Sequence, residues 1–351
     1  MVTRFRAAVL TRIDSPLELM EIELLSPLSI GQVLVRVQRA SVCGSQILEI
    51  AGSKGNAKYL PHLLGHEGFG EVVEIGPEVK KVSVGDKVVL HWRRSGGREA
   101  QAPKYRGPNG MEVGAGSVAT FSEMSVVSEN RITKVSDAID PGLASLLGCC
   151  LSTGMASVSR EACIRPGSSV FIFGAGGIGL SVCLSAITRA AARVVVVDKD
   201  SSKEQLSMSC GATQFVSTST MARDSDTFEG FREQFDAVFE TTGSESLVPL
   251  SLMLTRDGGT VVQLGQARPS QIVNLGAQGF AFGSLEGKRV IFSQGGGFKP
   301  DEDLVNFVGD LTSDGRGSWK NLIGPSGTLE EVNDLIDGLR SGVPGRPMVN
   351  F

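Results

Sequence analysis

Gly174-Ala175-Gly176-Gly177-Ile178-Gly179 leaves a stretch of backbone that side chains barely obstruct. An apolar run, Val170-Phe171-Ile172-Phe173, leads into it, and a second run, Val194-Val195-Val196-Val197, ends in Asp198. Runs without a polar break suit strands buried on both faces, and residues 180–192 between them suit a helix. Strand, glycine turn, helix, strand and acid together make a βαβ unit of the expected ~30 residues. In such a unit Gly174 permits the tight turn, Gly176 lets the backbone approach a pyrophosphate, and Gly179 lets the helix pack against its strand. The helix then presents free N–H groups and the positive end of its dipole to phosphates. Asp198, nineteen residues beyond Gly179, is placed to accept hydrogen bonds from an adenine ribose. The same carboxylate repels a 2′-phosphate, which favours NAD over NADP. A bare GxGxxG is often only a glycine-rich turn; the two flanking strands and the acid make this one specific.

A second informative stretch is Gly65-His66-Glu67-Gly68-Phe69-Gly70, where glycines bracket a His-Glu pair and Gly76 and Val79 follow. A single histidine of this kind is ordinarily a satisfied core residue, and a single free cysteine a small buried hydrophobe. The pattern GHExxG, five residues, Gly, two residues, Val nevertheless resembles the signature of zinc-dependent alcohol dehydrogenases, in the medium-chain dehydrogenase/reductase superfamily. The resemblance spans nearly the whole chain. It takes in Val42-Cys43-Gly44-Ser45, Gly148-Cys149-Cys150-Leu151-Ser152-Thr153-Gly154, and the end from Arg340-Ser341-Gly342 to Phe351.

The resemblance implies an α/β fold. A Rossmann doubly wound parallel sheet would bind NAD over residues 151–297, and a mainly β GroES-like catalytic domain would comprise 1–150 and 298–351. One catalytic zinc would be held by Cys43, His66 and Cys149, with Glu67 behind the metal as a transient ligand. Two thiolates and an imidazole suit zinc and leave a fourth position for water or substrate. Cys150 is the weaker ligand, since side chains of adjacent residues diverge. Zinc would act as a Lewis acid on an alcohol, whose hydride passes to the nicotinamide. Ser45 matches the hydroxyl that relays the alcohol proton. Thr153 would contact the nicotinamide side, Lys203 would reach the ribose held by Asp198, and Arg346 would pair with the pyrophosphate. Gly177 and Ile178 complete the glycine loop. Turns at Glu240-Thr241-Thr242-Gly243, Gly265-Gln266 and Ser293-Gln294-Gly295 follow strands, so they should line the cofactor. The implied enzyme is a homodimer or homotetramer.

The elements that must position these groups read as two kinds of chain. Residues 5–10 form a short apolar run and 17–24 and 33–38 alternate, all like strands; 43–51 read as a short helix, and strands return at 70–75, 87–91 and 121–127. Residues 92–117 read as irregular, and 141–159 as one apolar helix. Strands then recur at 234–239, 259–264 and 289–292, and two amphipathic helices, 301–311 and 329–339, close the chain. At 351 residues there is room for two cores, and 41% hydrophobic with 21% charged residues is ordinary for a soluble globular protein. The net charge of −4 gives no basic excess for nucleic acid. No stretch approaches the ~20 apolar residues of a membrane span, and no secretory leader stands at the start, so a cytoplasmic enzyme is expected. Six cysteines without a CxxC pair do not make a disulfide framework.

Three departures from the family stand out. Many members bind a second zinc in a lobe with four closely spaced cysteines; here residues 91–117 contain none. A structural zinc is therefore not expected, and packing must hold the lobe. Gln46 stands where relatives often have Asp, and Leu48 where some have the His that ends the proton relay. The relay then exits through water or another group such as His62 or His91. The lobe itself carries Arg93, Arg94, Arg98, Lys104 and Arg106 against Glu99, next to Trp92. Either these cations recognise an anionic substrate, such as a sugar derivative, or they form a solvated loop that offsets an acidic protein. The leading function is an NAD-linked alcohol or polyol dehydrogenase. A lyase or epimerase that recycles tightly bound NAD is the alternative. A non-catalytic dinucleotide binder would be expected to have a damaged metal triad, and zinc-free quinone reductases usually lack the ligands.

Overall fold

Alternation of apolar and polar residues near the start of the chain is expressed as antiparallel sheet. In the computed structural model, which describes residues 3–25, 27–218, 225–266, 272, 285, 287–313 and 318–351, the chain forms two units. The first comprises Met1–Cys149, Lys299–Val305 and Ile323–Phe351; the second comprises Cys150–Phe298 and Asn306–Leu322. The sequence assigned all of 298–351 to the first domain, but Asn306–Leu322 packs within the second.

In the first unit, Arg4–Leu10, Glu18–Leu24, Lys104–Arg106, Glu112–Gly114 and His62–Leu63 close into a small barrel. Two of these strands lie where the sequence reads as irregular. Each buries one side chain, Tyr105 or Val113, and three residues are too short to display a period. Tyr105 packs edge-on against Phe5 at 5.5 Å and accepts the Val126 N–H through its hydroxyl at 3.2 Å. A seven-stranded sheet adjoins the barrel, in the order Ile132–Lys134, Lys87–His91, Glu67–Ile75, Gln32–Ser41, Arg346–Asn350 and Ile323–Thr328; Met124–Ser128 also pairs with Gln32–Ser41. The last strand of the chain is thus threaded beside an early one, Val349 opposite Ala40.

The second unit is a parallel sheet in the order Gln214–Ser217, Arg193–Asp198, Ser169–Phe173, Phe235–Glu240, Thr255–Gln263 and Arg289–Phe292. Numbered along the chain this is 3-2-1-4-5-6, the doubly wound order, whose direction reverses between Ser169–Phe173 and Phe235–Glu240. Residues 170–173 and 194–197 are fully buried, as continuous apolar runs require. Phe171 centres an aromatic cluster with Phe173 and Phe235, each 4.9 Å away. The expected single helix at 141–159 is broken. Pro141–Leu147 and Cys150–Ala156 are separate helices on either side of Gly148-Cys149, and Ser157–Glu161 winds more loosely. Among the described residues no single helix is long and apolar enough to cross a membrane.

Carboxylates as well as packing pin the cysteine-free lobe. Glu129 is buried and accepts the backbone N–H groups of Lys80 at 2.5 Å, Lys81 at 2.6 Å and Arg98 at 2.9 Å. Asp301 accepts the Gly96 N–H at 2.8 Å and pairs with Lys81 at 2.6 Å. Burial by itself would raise the Glu129 pKa, but the three N–H donors and the Lys81 charge outweigh it and hold it below the ordinary carboxylate value. A depressed folded-state pKa gives stability that is complete above the unfolded value, ~4.3, and lost as pH falls through the folded one. Glu129→Gln should therefore cost about 2 kcal/mol at neutral pH. The loss should shrink on acidification toward pH ~3, measured by urea unfolding across that range.

Candidate active site

Cys43, His66 and Cys149 come from three separate elements of the first unit, each placed by a local constraint. Cys43 is the residue before the helix Gly44–Ile50. His66 follows Gly65, which sits at φ +91°, where a Cβ would lie 2.3 Å from Thr120 Oγ1. Cys149 follows Gly148, where a Cβ would lie 2.4 Å from the Leu90 carbonyl oxygen. Glycine is thus required beside two of the three donors. The donor atoms of Cys43, His66 and Cys149 all lie within 4.8 Å of one another. Tetrahedral zinc, with Zn–S ~2.3 Å and Zn–N ~2.0 Å, needs donors about 3.5–4 Å apart, so this donor set fits the ion in type and spacing.

The triad is built to carry negative charge. Cys149 donates its S–H to Cys43, which with Arg346 and His66 nearby draws the Cys43 thiol well below its usual value against the cost of burial. The same bond, together with burial, pushes the Cys149 thiol up. Burial acts to lower the His66 pKa, but the Cys43 thiolate and Glu67 outweigh it and raise it. A bound metal would replace these shared protons.

Around the triad, Gln46 accepts the Cys43 N–H through Oε1 at 2.8 Å and brings Nε2 to 2.5 Å from His66 Nδ1. One neutral amide therefore ties two of the donors together where a carboxylate was the family expectation. Glu67 is fully buried, and Arg346 donates to its Oε1 from Nη2 at 2.5 Å and from Nε at 3.1 Å. The sequence assigned Arg346 to a pyrophosphate; in the structure its guanidinium rests on Glu67. Ser45 lies one turn from Glu49 and is contacted by Lys54, two residues that the sequence reading passed over. Their signal was present, since Ser45 and Glu49 are four apart on a helix and share a face.

In the second unit the glycine loop has the form its spacing implies. Gly174 is at φ +96°, nothing lies within 4 Å of a Cβ at Gly176, and a Cβ at Gly179 would lie 1.8 Å from the Gly174 carbonyl oxygen. Gly177 opens the helix Gly177–Thr188, and Ile178 is half-buried in its first turn. Asp198 accepts the Ala175 N–H at 2.7 Å and the Asp200 N–H at 3.0 Å. Lys203 Nζ lies 3.3 Å from the same carboxylate. Gly265 N–H donates to the Glu240 carbonyl, and its α-carbon faces Gly243 so closely that a Cβ would lie 1.9 Å from the Gly243 nitrogen. The buried Glu240 carboxylate accepts N–H groups of Thr242 at 2.7 Å and Gly243 at 3.0 Å, fixing that turn. Thr153 is buried on the helix Cys150–Ala156, where its carbonyl accepts the Ser157 hydroxyl at 2.5 Å.

Other candidates are committed elsewhere. His91 is fully buried, with Nδ1 2.7 Å from the Arg93 carbonyl and Nε2 3.0 Å from Thr133 Oγ1. Burial pushes its pKa down to about 3. The lobe cations are paired: Arg94 with Glu99 at 2.8 Å, Arg98 with Glu78 at 2.6 Å, Lys104 with Glu112 at 2.8 Å and Arg106 with Glu23 at 2.9 Å. Arg93 lies over the Trp92 ring at 5.4 Å.

Comparison with known proteins agrees with both units. The alcohol dehydrogenase GroES-like domain matches residues 29–137, and the zinc-binding dehydrogenase domain matches 177–305. Alcohol dehydrogenase 6 of Peromyscus maniculatus is 28% identical, over 97% of this chain and 96% of its own. An S-(hydroxymethyl)glutathione dehydrogenase of Escherichia coli is 29% identical over 99% of both chains. An alcohol dehydrogenase zinc-binding domain protein from Burkholderia ambifaria shares the fold, with TM-score 0.89 at 24% identity over 100% of both chains.

Removing the Gln46 amide should loosen the donor set. Gln46→Ala should weaken zinc retention by roughly 10–100-fold in competition with a chelator, with the fold intact by circular dichroism.

Proposed function

Because the chain belongs to the zinc-dependent alcohol dehydrogenases and is an alcohol oxidoreductase that uses zinc and a nicotinamide cofactor, we propose that it oxidises a small alcohol with NAD at a single catalytic zinc. The observation that carries this reading is the convergence of Cys43, His66 and Cys149 within 4.8 Å. Bound there, zinc would supply Lewis acidity toward an alcohol oxygen, and the nicotinamide would accept the hydride. Cys43, His66 and Cys149 hold the metal and leave one position open. Glu67, pinned by Arg346, lies beside His66 as a carboxylate in reserve. Ser45 receives the proton that leaves the alcohol.

NAD rather than NADP is supported by Asp198, whose buried carboxylate is held at the glycine loop by the Ala175 N–H. Negative charge at that point opposes a 2′-phosphate. The second zinc expected of some relatives has no cysteines in the lobe, and Glu129 and Asp301 supply an alternative clamp. Ion pairing of Arg94, Arg98, Lys104 and Arg106 favours a solvated lobe over recognition of an anionic substrate. Curated relatives that are dehydrogenases favour net redox over a lyase or epimerase. None of the six cysteines is joined in a disulfide, which suits a reducing cytoplasm. The edge strand Arg289–Phe292 exposes Phe292, which suits association as a dimer or tetramer through the second unit.

A screen of alcohols and sugar derivatives, with metal analysis of the pure protein, tests the reading. NADH should accumulate with substrate, zinc should be found near one per chain, and chelation should abolish turnover. A product formed without NADH accumulation would replace the dehydrogenase by the epimerase. Asp198→Ala should lower kcat/KM for NAD by roughly 10–100-fold, the loss of one or two charge-assisted hydrogen bonds, while NADP improves.

A further inference from the structure

We propose that Glu49, positioned by Lys54, is the proton acceptor at the outer end of the relay that begins at Ser45. The inference rests on the dehydrogenase reading, because oxidation of an alcohol to a carbonyl by NAD releases one proton that must leave the site. Leu48 cannot carry it, and His91 has both ring nitrogens engaged and no exposure to solvent. His62 is buried on a barrel strand, and burial favours its neutral form.

Glu49 is placed for the task. The helix Gly44–Ile50 sets Ser45 and Glu49 one turn apart on the same face, Ser45 Oγ 3.5 Å from Glu49 Oε1. The chain then reverses through Gly52, at φ +67°, and Gly55, at φ +70°, which returns Lys54 to the helix. The Asn56 side chain fastens this return by donating to the Glu49 carbonyl at 3.0 Å. Lys54 Nζ contacts Ser45 Oγ and lies 3.1 Å from Glu49 Oε1. An ammonium only donates, so Ser45 accepts from Lys54 and its own hydrogen remains for the carboxylate. The Glu49 side chain is 22% exposed and that of Lys54 30%, so the pair connects a part-buried hydroxyl with water.

The step balances without another reactant. As the alcohol O–H bond breaks, its proton bonds to Ser45 Oγ, and the Ser45 O–H proton bonds to Glu49. Water then takes that proton and restores the carboxylate. No electrons move in this step; the alcohol carbon is oxidised and NAD reduced by the hydride transfer itself.

Alcohol oxidation by the zinc-containing protein with NAD provides the test, with proton release followed by an indicator dye beside NADH formation. Glu49→Gln should lower kcat roughly 100-fold, leave zinc content and the KM for NAD unchanged, and raise the solvent isotope effect. Added formate should restore much of the lost rate, and Glu49→Asp should keep more activity than Glu49→Gln. Lys54→Met should lower kcat by about 10-fold, a smaller positioning effect within the same acid–base contribution, and Lys54→Arg should recover it. A Glu49→Gln enzyme with unaltered kcat and isotope effect overturns the proposal. A loss that formate does not relieve, or that follows zinc loss, also overturns it and makes Glu49 structural. If the unmodified protein oxidises no alcohol with NAD, the dehydrogenase reading fails first, a result distinct from either of these.

Discussion

Two thiols, an imidazole and a carboxylate share one buried corner of the first unit, and so much ionisable chemistry cannot be buried uncompensated. Arg346 provides the compensation. Its guanidinium is 4% exposed, it is bonded twice to the fully buried Glu67, and it helps hold the Cys43 charge. Breaking a buried pair of this kind by removing one partner is strongly destabilising, because the other charge is left alone. The pair therefore constrains the whole unit. It requires the last strand, Arg346–Asn350, to run beside Gln32–Ser41, and it requires the turn at Gly65 to bring Glu67 underneath.

The same device recurs wherever a loop has to hold still. Glu129 ties the backbone N–H of Arg98 in the lobe to those of Lys80 and Lys81, Asp301 takes one from Gly96, Asp198 takes one from the glycine loop, and Glu240 fixes the turn at Thr242-Gly243. An ionised carboxylate accepting backbone N–H groups makes a charge-assisted bond, about twice as strong as a neutral one. It also satisfies donors that no sheet or helix reaches. In the lobe this fixes the backbone at Gly96 and Arg98, in a stretch that contains no cysteine. At the glycine loop it makes Asp198 a structural anchor, through the Ala175 N–H.

Ser45, two residues beyond Cys43, meets residues of ordinary appearance. Glu49 and Lys54 belong to no motif, and each would pass as a surface residue of a short helix and its turn. Only the reversal at Gly52 and Gly55, with Asn56 fastening it, brings the ammonium onto the hydroxyl and the carboxylate together. In the proposed relay Glu49 and Lys54 take the part of the histidine that Leu48 replaces.

How much was legible in the chain follows from the range of the forces involved. Glycine spacing, apolar runs and the acid after the second strand express local sterics and burial. They determined the nucleotide unit down to Gly174, Gly179 and Asp198, and the triad residues were readable through the family pattern around His66. Strands at 104–106 and 112–114 escaped because each buries one side chain, and the break at Gly148 was hidden inside an apolar run. The partner of Arg346 lay 279 residues away, Arg98 met Glu78 of a separate loop and Arg106 met Glu23 of an early strand, and Gln46 met His66 across 20 residues of chain. Charge pairing acts through space over a few ångströms and leaves no period along a chain. Only the tertiary structure decided which charges would meet.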